Sequence, residues 1–504
     1  MGGKYLSTSA VNYSDIQGLV RFGYGALSEA CFLLLNIRDA RAARAWLLTA
    51  PVTTAVELNQ PPETALQVTF TREGLQALGV ADDVLAGFSA EFLSGMAAEE
   101  SRSRRLGDVG GNSPKYWQWG GANKVPHLVA MLYAQPGRLE TWKQTIQGSQ
   151  WSAAFEVLDC LPTSNLFGVE PFGFNDGVSQ PTPDWKRQRN PEGSQLAYGN
   201  LLTLGEFLLG YENEYGKYTE RPLLDPGAPA SSVLPFAEDA PDKRDLGRNG
   251  TYLVFRQLRQ DVRGFWRLLD RQAGSNPQAR KDLAESMVGR RMNGEPLLPA
   301  TTQPIAGVDP KAAAQNQFTY DSDSGGLRCP FGAHIRRANP RNADLPANSN
   351  GLFARLLHTL GFNNPGFRDD VIASTRFHRL LRRGREYGPG LSPEQAVADG
   401  PDTDEHGIHF ICIVANILRQ FEFVQNAWVT NPKFDALSEE SDPLLGNREA
   451  IPGCPVTNIF CLPQESGVRI RITDLPQFVT VRGGAYLFMP GLSALRYLAA
   501  IEPQ

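Results

Sequence analysis

No stretch of this chain stays apolar for the roughly 20 residues that a bilayer-spanning helix needs, so a membrane protein of that kind is not expected. Nor is there a basic excess of the sort that marks nucleic-acid binding: 49 Lys and Arg stand against 54 Asp and Glu, for a net charge of −5. Cysteine is sparse. The six are Cys31, Cys160, Cys329, Cys412, Cys454 and Cys461, with no C-x-x-C pair and no zinc-like spacing. Only Cys454 and Cys461 are placed for a local disulfide, and Cys31 and Cys412 sit in apolar runs, where a thiol packs as a small hydrophobe. The start, MGGKYLSTSAVNYSDIQG, lacks a basic n-region, an apolar h-region and a twin-Arg pair. Gly2 suggests myristoylation, but Leu6 occupies the Ser/Thr position that motif needs. A reduced, cytoplasmic protein is expected. Histidine is scarce too, with six in 504 residues, so any imidazole chemistry falls on few candidates.

Glycine (49) and proline (36) are plentiful, which favours loops and turns over a helical bundle. Two stretches read as copies of one supersecondary unit. Near the start, CFLLLNIRD (31–39) reads as a buried strand and AARAWLL as the helix after it; later, TYLVFRQLRQ (251–260) and DVRGFWRLLDR repeat the pattern. Each half holds a second strand-to-helix passage, LQVTFTREGLQALG (66–79) and GIHFICIVANILRQFEFVQNAW (407–428). Two such passages per half fit a split βαβ, ferredoxin-like plan. The segment 223–250, rich in Pro, Ala and charge, reads as a linker or long surface loop, placing a boundary near residue 240. A long irregular stretch runs from about 297 to 350; inside a compact domain such loops are more often functional than idle.

Three segments carry chemistry. RCPFGAHIRRANPR holds His334; a lone His there is ordinarily a hydrogen-bonded structural residue. FGFNDGVSQP places Asp176 between Gly173 and Gly177. That is an ordinary turn composition, or a backbone able to pass close to a flat cofactor with Asp176 aimed at its face. HRLLRRGREYG clusters Arg379, Arg382, Arg383 and Arg385, which reads as a solvated face or as a site for an anion. His378 in that run is expected to be exposed, and His409, alternating with apolar residues, could be core.

Together and in this order, these segments resemble the dye-decolorizing peroxidases. FGFNDGVSQP is similar to the family's G-x-x-D-G signature, GAHIRRANPR to the segment of the proximal histidine, and LLRRGREYG to that of the distal arginine. DIQGLVRFGYG, NGTYLVFRQLRQDVRGFW and FVTVRGGAYLFMPGLSALRYLA extend the resemblance over nearly the whole chain. It implies an α+β fold of two ferredoxin-like domains with antiparallel sheets. Domain 1–240 would contribute the distal loop, and domain 241–504 would bind haem b, the iron complex of protoporphyrin IX. It implies a haem peroxidase that reduces hydrogen peroxide via a ferryl intermediate and oxidises bulky aromatic dyes and phenols. Neither nucleic acid nor membrane is an expected partner; a homo-oligomer is possible.

By the same resemblance Asp176 and Arg382 are the catalytic pair and His334 the metal ligand. An Asp, titrating near ~4, can relay a proton between peroxide oxygens at mildly acidic pH, so an acidic optimum is expected. Arg382 would be a permanent cation stabilising charge on the departing oxygen. Arg336 and Arg341 are candidates for haem propionates, Gly177 for close approach to the cofactor, and Ile408 and Phe410, on one strand face, for an apolar distal wall. The acceptor for the second ring nitrogen of His334 is expected near Asn416 or Glu422. Relatives often carry Asn or Ser two residues after the distal Arg; here that position is Gly384, which leaves Asp176 and Arg382 more of the work. A surface Trp or Tyr would pass electrons from dyes too bulky for the pocket. Three other readings stand beside this one: a thiolate-ligated haem enzyme using Cys329 or Cys454, a non-catalytic haem carrier of the same fold, and the cargo of an encapsulating shell, against which no docking tail is evident.

Overall fold

The computed structural model describes residues 10–121, 124–188, 200–299, 315–316, 318–341, 375–400, 404–449 and 457–501. Its centre is one nine-stranded sheet, with every pairing antiparallel. The first half supplies β1 (Glu29–Ile37), β2 (Thr64–Phe70), β3 (Leu128–Ala134) and β4 (Phe155–Pro162). The second supplies β5 (Thr251–Gln260), β6 (Leu381–Arg382), β7 (Arg385–Tyr387), β8 (His406–Val414) and β9 (Val479–Met489). β6 and β7 both pair with β8 and act as one interrupted strand. Counted that way, each half has the spatial order fourth-first-third-second, which is the ferredoxin-like order twice over. The halves join edge to edge where Phe488 of β9 pairs with Phe70 of β2.

The apolar runs of the sequence have a direct cause. Both faces of the sheet are covered, so alternate residues of one strand enter two different cores. Leu33, Leu35, Val68, Leu132, Val254 and Phe488 face one side. Phe32, Leu34, Val129, Met131, Phe255 and Leu487 face the other. A strand buried on both faces reads as continuous hydrophobicity rather than alternation. Helices α1 (Ala40–Thr49), α2 (Glu100–Leu106), α3 (Leu139–Gln147), α4 (Val262–Gln272), α5 (Pro277–Val288), α6 (His334–Ala338) and α7 (Leu492–Ala500) cover these faces and the sheet's ends. Local signals start them: Asp39 and Asp261 each accept an N–H in the first turn of α1 and α4, as N-caps do. After β8 the chain forms two consecutive π-helical segments, Leu418–Glu422 and Val424–Val429. Wide π turns are rare and concentrate at functional sites.

Several expectations change here. Segment 223–250 is not a free linker: Leu224, Leu234 and Leu246 are buried, and Leu223–Leu224 pairs with Arg244–Asp245. Arg221 and Arg248 are tied to Asp239, Asp245 and Glu238 beneath it. His378 is buried rather than exposed, stacked 3.6 Å from the Phe423 ring with its Nδ1 on the Arg419 carbonyl. His409 is core. The arginine run is not a solvated face either. Arg383 donates to the carbonyls of Leu19 and Val20, and Arg385 to that of Tyr24. No helix among the described residues is long and apolar enough to cross a membrane. Cys454 and residues 300–314, 317 and 342–350 of the irregular stretch lie outside the described residues, as therefore does the Cys454–Cys461 expectation.

Candidate functional site

A cavity, about 930 Å³ when the space open to solvent is included, opens on the second half of the sheet, against the face of β8 that carries Phe410. Phe421 and Val424 of the π-helical segments form part of its apolar wall together with Leu445. His334 and Arg382 both line it.

His334 is the first residue of α6. Its Nδ1 lies 2.8 Å from Asp442 Oδ2, and Asp442 is wholly buried. The other oxygen of Asp442 accepts the N–H groups of Leu444 and Leu445 at 2.9 Å, so the carboxylate cannot rotate away. Burial alone would raise the Asp442 carboxyl, but His334 and the Leu445 N–H overcome it and hold it below the ordinary range. Burial likewise opposes charge on His334, yet Asp442 wins and makes the ring more basic than a free imidazole. With Nδ1 engaged, Nε2 is the ring nitrogen left for a ligand in the cavity. Arg337 fixes this helix from behind, donating to the Trp428 and Asn431 carbonyls at the end of the π-helical run, where orphan carbonyls need donors.

The acceptor for His334 is thus Asp442, not Asn416 or Glu422. Asn416 uses its side chain to accept the Arg419 N–H and cap the helical run. Glu422 is buried in an ion pair with Arg102 and Arg105 of α2 and accepts from the Tyr486 hydroxyl. Sequence spacing missed Asp442 because it lies 108 residues from His334 in an S-D-P-L-L-G turn with no periodicity.

Asp176 and Gly177 are not among the cavity's lining residues, but Asp176 Oδ1 accepts from the lining Arg382 through Nη1 at 2.8 Å and from the Gly177 N–H at 2.6 Å. Among the described residues Oδ2 makes no hydrogen bond. Burial pushes the Asp176 carboxyl up, but Arg382 and the Gly177 N–H pull it below its ordinary 3.8. Gly177 has φ +76, a conformation other residues rarely adopt. The loop is braced by Glu170, whose carboxylate accepts the Phe172 and Phe174 N–H groups and Gln260 Nε2 at the end of β5. Burial pushes the Glu170 carboxyl up to about 7. Gln180 brackets the Arg382 backbone, accepting its N–H and donating to its carbonyl. Loop and strand are therefore locked together at the residues the sequence singled out.

Four arginines line the cavity, Arg290, Arg341, Arg379 and Arg382, and no carboxylate lines it among the described residues. Arg290 is the one sequence reading missed. Its Nη1 donates to the Gly294 and Gln315 carbonyls, while Nη2 is buried with no partner among the described residues. Burial and the cations Arg341 and Arg382 lower its guanidinium to about 10. Such a donor set suits a ligand with carboxylate groups. Arg341 lines the cavity and donates to the Asn316 and Phe318 carbonyls. Arg336 does not reach the cavity: it is buried between the Tyr320 and Phe331 rings and donates to Cys329 and Asp323. Phe410 lines the cavity and Ile408, farther along the same face, does not.

The comparisons with known proteins follow this geometry. No family model matches the chain. It is 28% identical to the dye-decolorizing peroxidase msp1 of Mycetinis scorodonius, over 98% of this chain and 89% of that protein. It is 29% identical to a dye-decolorizing peroxidase of Auricularia auricula-judae, over 97% of this chain and 87% of that protein. Among solved structures, a fungal DyP-type peroxidase from Auricularia auricula-judae superposes with a TM-score of 0.71 at 26% identity, covering 98% of this chain and 100% of that one. Relatives of one kind, the dye-decolorizing peroxidases, match this chain over nearly its full length, and its sheet repeats the ferredoxin-like order.

Proposed function

We propose that this peroxidase reduces hydrogen peroxide and oxidises bulky aromatic compounds such as dyes and phenols, with haem b held by His334 and peroxide handled by Asp176 and Arg382. One observation carries the reading: a single cavity is lined both by a carboxylate-braced histidine, His334, and by Arg382, which is paired with Asp176. The cavity's residues fit haem. His334 offers Nε2, the wall is apolar, and Arg290 with Arg341 offers cations to two propionates, one donor atom of Arg290 being unspent. Haem, when bound, supplies the iron at which peroxide is reduced and from which aromatic substrates are oxidised.

The protein's own part is proton and charge management. Asp176 Oδ2 takes a proton from one peroxide oxygen and returns it to the other, directly or through one water. Because Arg382 holds Asp176 ionised, the base stays competent in acid and is lost only as pH falls through a value below 3.8. Arg382, clamped by Gln180, presents fixed positive charge to the departing oxygen. Asp442 keeps the His334 ring oriented and electron-rich. The two halves divide the labour: segment 1–240 carries Asp176, and segment 241–504 carries His334 and Arg382. The relative solved with 2,6-dimethoxyphenol is consistent with a phenolic reductant.

The test is to mix the haem-loaded protein with one equivalent of peroxide in a stopped-flow spectrometer. Asp176→Asn should slow the absorbance change by about 10²–10⁴-fold, and Arg382→Leu by about 10²–10³-fold. A haem-loaded wild type whose spectrum does not respond to peroxide would make the protein a haem carrier.

A further inference from the structure

Cys31 and Cys160 lie away from the cavity, on the neighbouring strands β1 and β4. The register pairs Cys31 with Pro162 and Leu33 with Cys160, so the two cysteines are diagonal neighbours. Strand side chains alternate, which puts residues 31, 33 and 160 on one face. Both cysteines are free thiols. Their surroundings differ. Cys31 is buried in the core, whereas Cys160 is partly exposed on the strand at the sheet's edge.

That difference divides the chemistry between them. The neighbouring Cys31 holds the Cys160 thiol down at about 7; burial works against this, Lys143 of α3 assists, and Asp159 and Glu140 oppose. Cys31 is pushed far up by Cys160 and by burial. Near neutral pH the accessible sulfur is thus the nucleophile and the buried sulfur stays a thiol. A thiolate that is accessible and beside a second cysteine is the arrangement of a peroxide-reactive pair.

We propose that Cys31 and Cys160 are a peroxide-reactive thiol pair that closes to a reversible disulfide between β1 and β4. The Cys160 thiolate attacks one oxygen of a hydroperoxide; the O–O bond breaks, and with one proton water or an alcohol leaves. Cys160 is now a sulfenic acid. The Cys31 sulfur then displaces the sulfenic oxygen, which leaves as water with the Cys31 proton. Two thiols are oxidised by two electrons in all, and one peroxide bond is reduced. Diagonal neighbours have Cβ atoms ~7–8 Å apart, against ~3.5–4.5 Å in a disulfide, so β4 must slide to close the bond. It is an edge strand whose register against β1 already shifts between Leu34 and Leu35. A bridge formed under that strain is readily reduced, which makes the site reversible.

The full haem-loaded chain, reduced and then pulsed with hydrogen peroxide at pH 7.5, is quenched with N-ethylmaleimide, digested and analysed by mass spectrometry. A peptide linking Cys31 to Cys160 should appear, cleaved by dithiothreitol, while Cys329 and Cys412 stay alkylatable after denaturation. In Cys31→Ser, Cys160 should instead be trapped by dimedone as a sulfenic acid. In Cys160→Ser, Cys31 should remain reduced. Linkage should slow as pH is lowered through about 7. Over-oxidation of Cys160 in the wild type without linkage, oxidation of Cys31 in Cys160→Ser, or two thiols that stay reduced while the peroxide is consumed would each overturn the proposal.

Discussion

Glu206 is fully buried, and it holds the start of the helical run that walls the cavity. Its carbonyl accepts the Ala415 N–H and Gln420 Nε2, its Oε1 accepts the Glu214 N–H at 3.0 Å, and Oε2 lies 2.8 Å from Arg419 Nη2. Two effects compete over its charge. Arg419 favours the carboxylate; loss of water and the neighbouring Glu214 disfavour it. Desolvation wins, raising the carboxyl from 4.5 to about 7. An acid whose folded value is raised contributes stability that is fully present below its unfolded value, near 4.5, and lost as pH rises through about 7. At ~1.36 kcal/mol per pH unit, the loss is on the order of 3 kcal/mol. Glu206→Gln keeps the volume and the acceptor for Glu214 but cannot ionise. Urea unfolding of both proteins at pH 5, 6, 7 and 8, extrapolated to water, should find them close at pH 5. The wild type should then fall behind by that amount at pH 8. A difference that does not vary with pH would refute the reasoning. So would a wild type that gains on the variant as pH rises, because Arg419 would then have beaten desolvation.

Asp442→Ala leaves the His334 ring without its acceptor, and haem affinity, measured by transfer to apomyoglobin, should drop about 10–100-fold. Arg256→Met strips the buried Asp108 of its partner. The cost in urea unfolding should be about 3–5 kcal/mol at pH 8 and should shrink as pH falls towards about 6, because without Arg256 the buried Asp108 takes up a proton at a higher pH than in the wild type. Arg290→Met should weaken binding of haem but not of its dimethyl ester, since only the free propionates can use the unspent Nη2; equal losses for both would deny Arg290 that role.

The strands around the site were legible because strongly apolar runs have few alternatives. CFLLLNI and TYLVFRQL could only be buried, and each proved to be a strand with both faces covered. Asp176, Arg382 and His334 were legible as residue types in short motifs; His334 and Arg382 line one cavity, and Asp176 is bonded to Arg382. Arg336 stood in the same motif as His334 yet faces away, because α6 is one turn of helix and sends consecutive residues in different directions. Asp442 and Arg290 were illegible for another reason. Each reaches the site from a distant loop or helix end, and only tertiary packing selects one Asp or Arg among many. The half-buried arginines Arg382, Arg383 and Arg385 misled in the opposite sense. Charge density suggested solvent, but these guanidinium groups spend their donors on backbone carbonyls of residues 19–24 and on the distal loop.

Gly384 tests how far the distal site depends on backbone alone. Where relatives place Asn or Ser, a Cβ here would lie 2.8 Å from the His409 carbonyl oxygen and 3.5 Å from the Ile411 nitrogen. Both are backbone atoms of β8 and cannot swing aside. Gly384 sits between β6 and β7, the two pieces that pair with β8, so any side chain must push this connection off the sheet. Arg382 is two residues away. It owes its position to pairing with Cys412 and to Gln180 on its backbone. Gly384→Ser should therefore cost about 1–3 kcal/mol in unfolding, as overpacking does. It should also slow the reaction with peroxide, despite adding a hydroxyl where relatives have a donor. The control is Gly384→Ala, which brings the same clash without the hydroxyl. Equal losses in the two variants assign the effect to the backbone. A serine variant that matches wild-type stability and reacts faster would mean that β6 and β7 can yield, and that the missing donor, not the close approach of β8, limits this site.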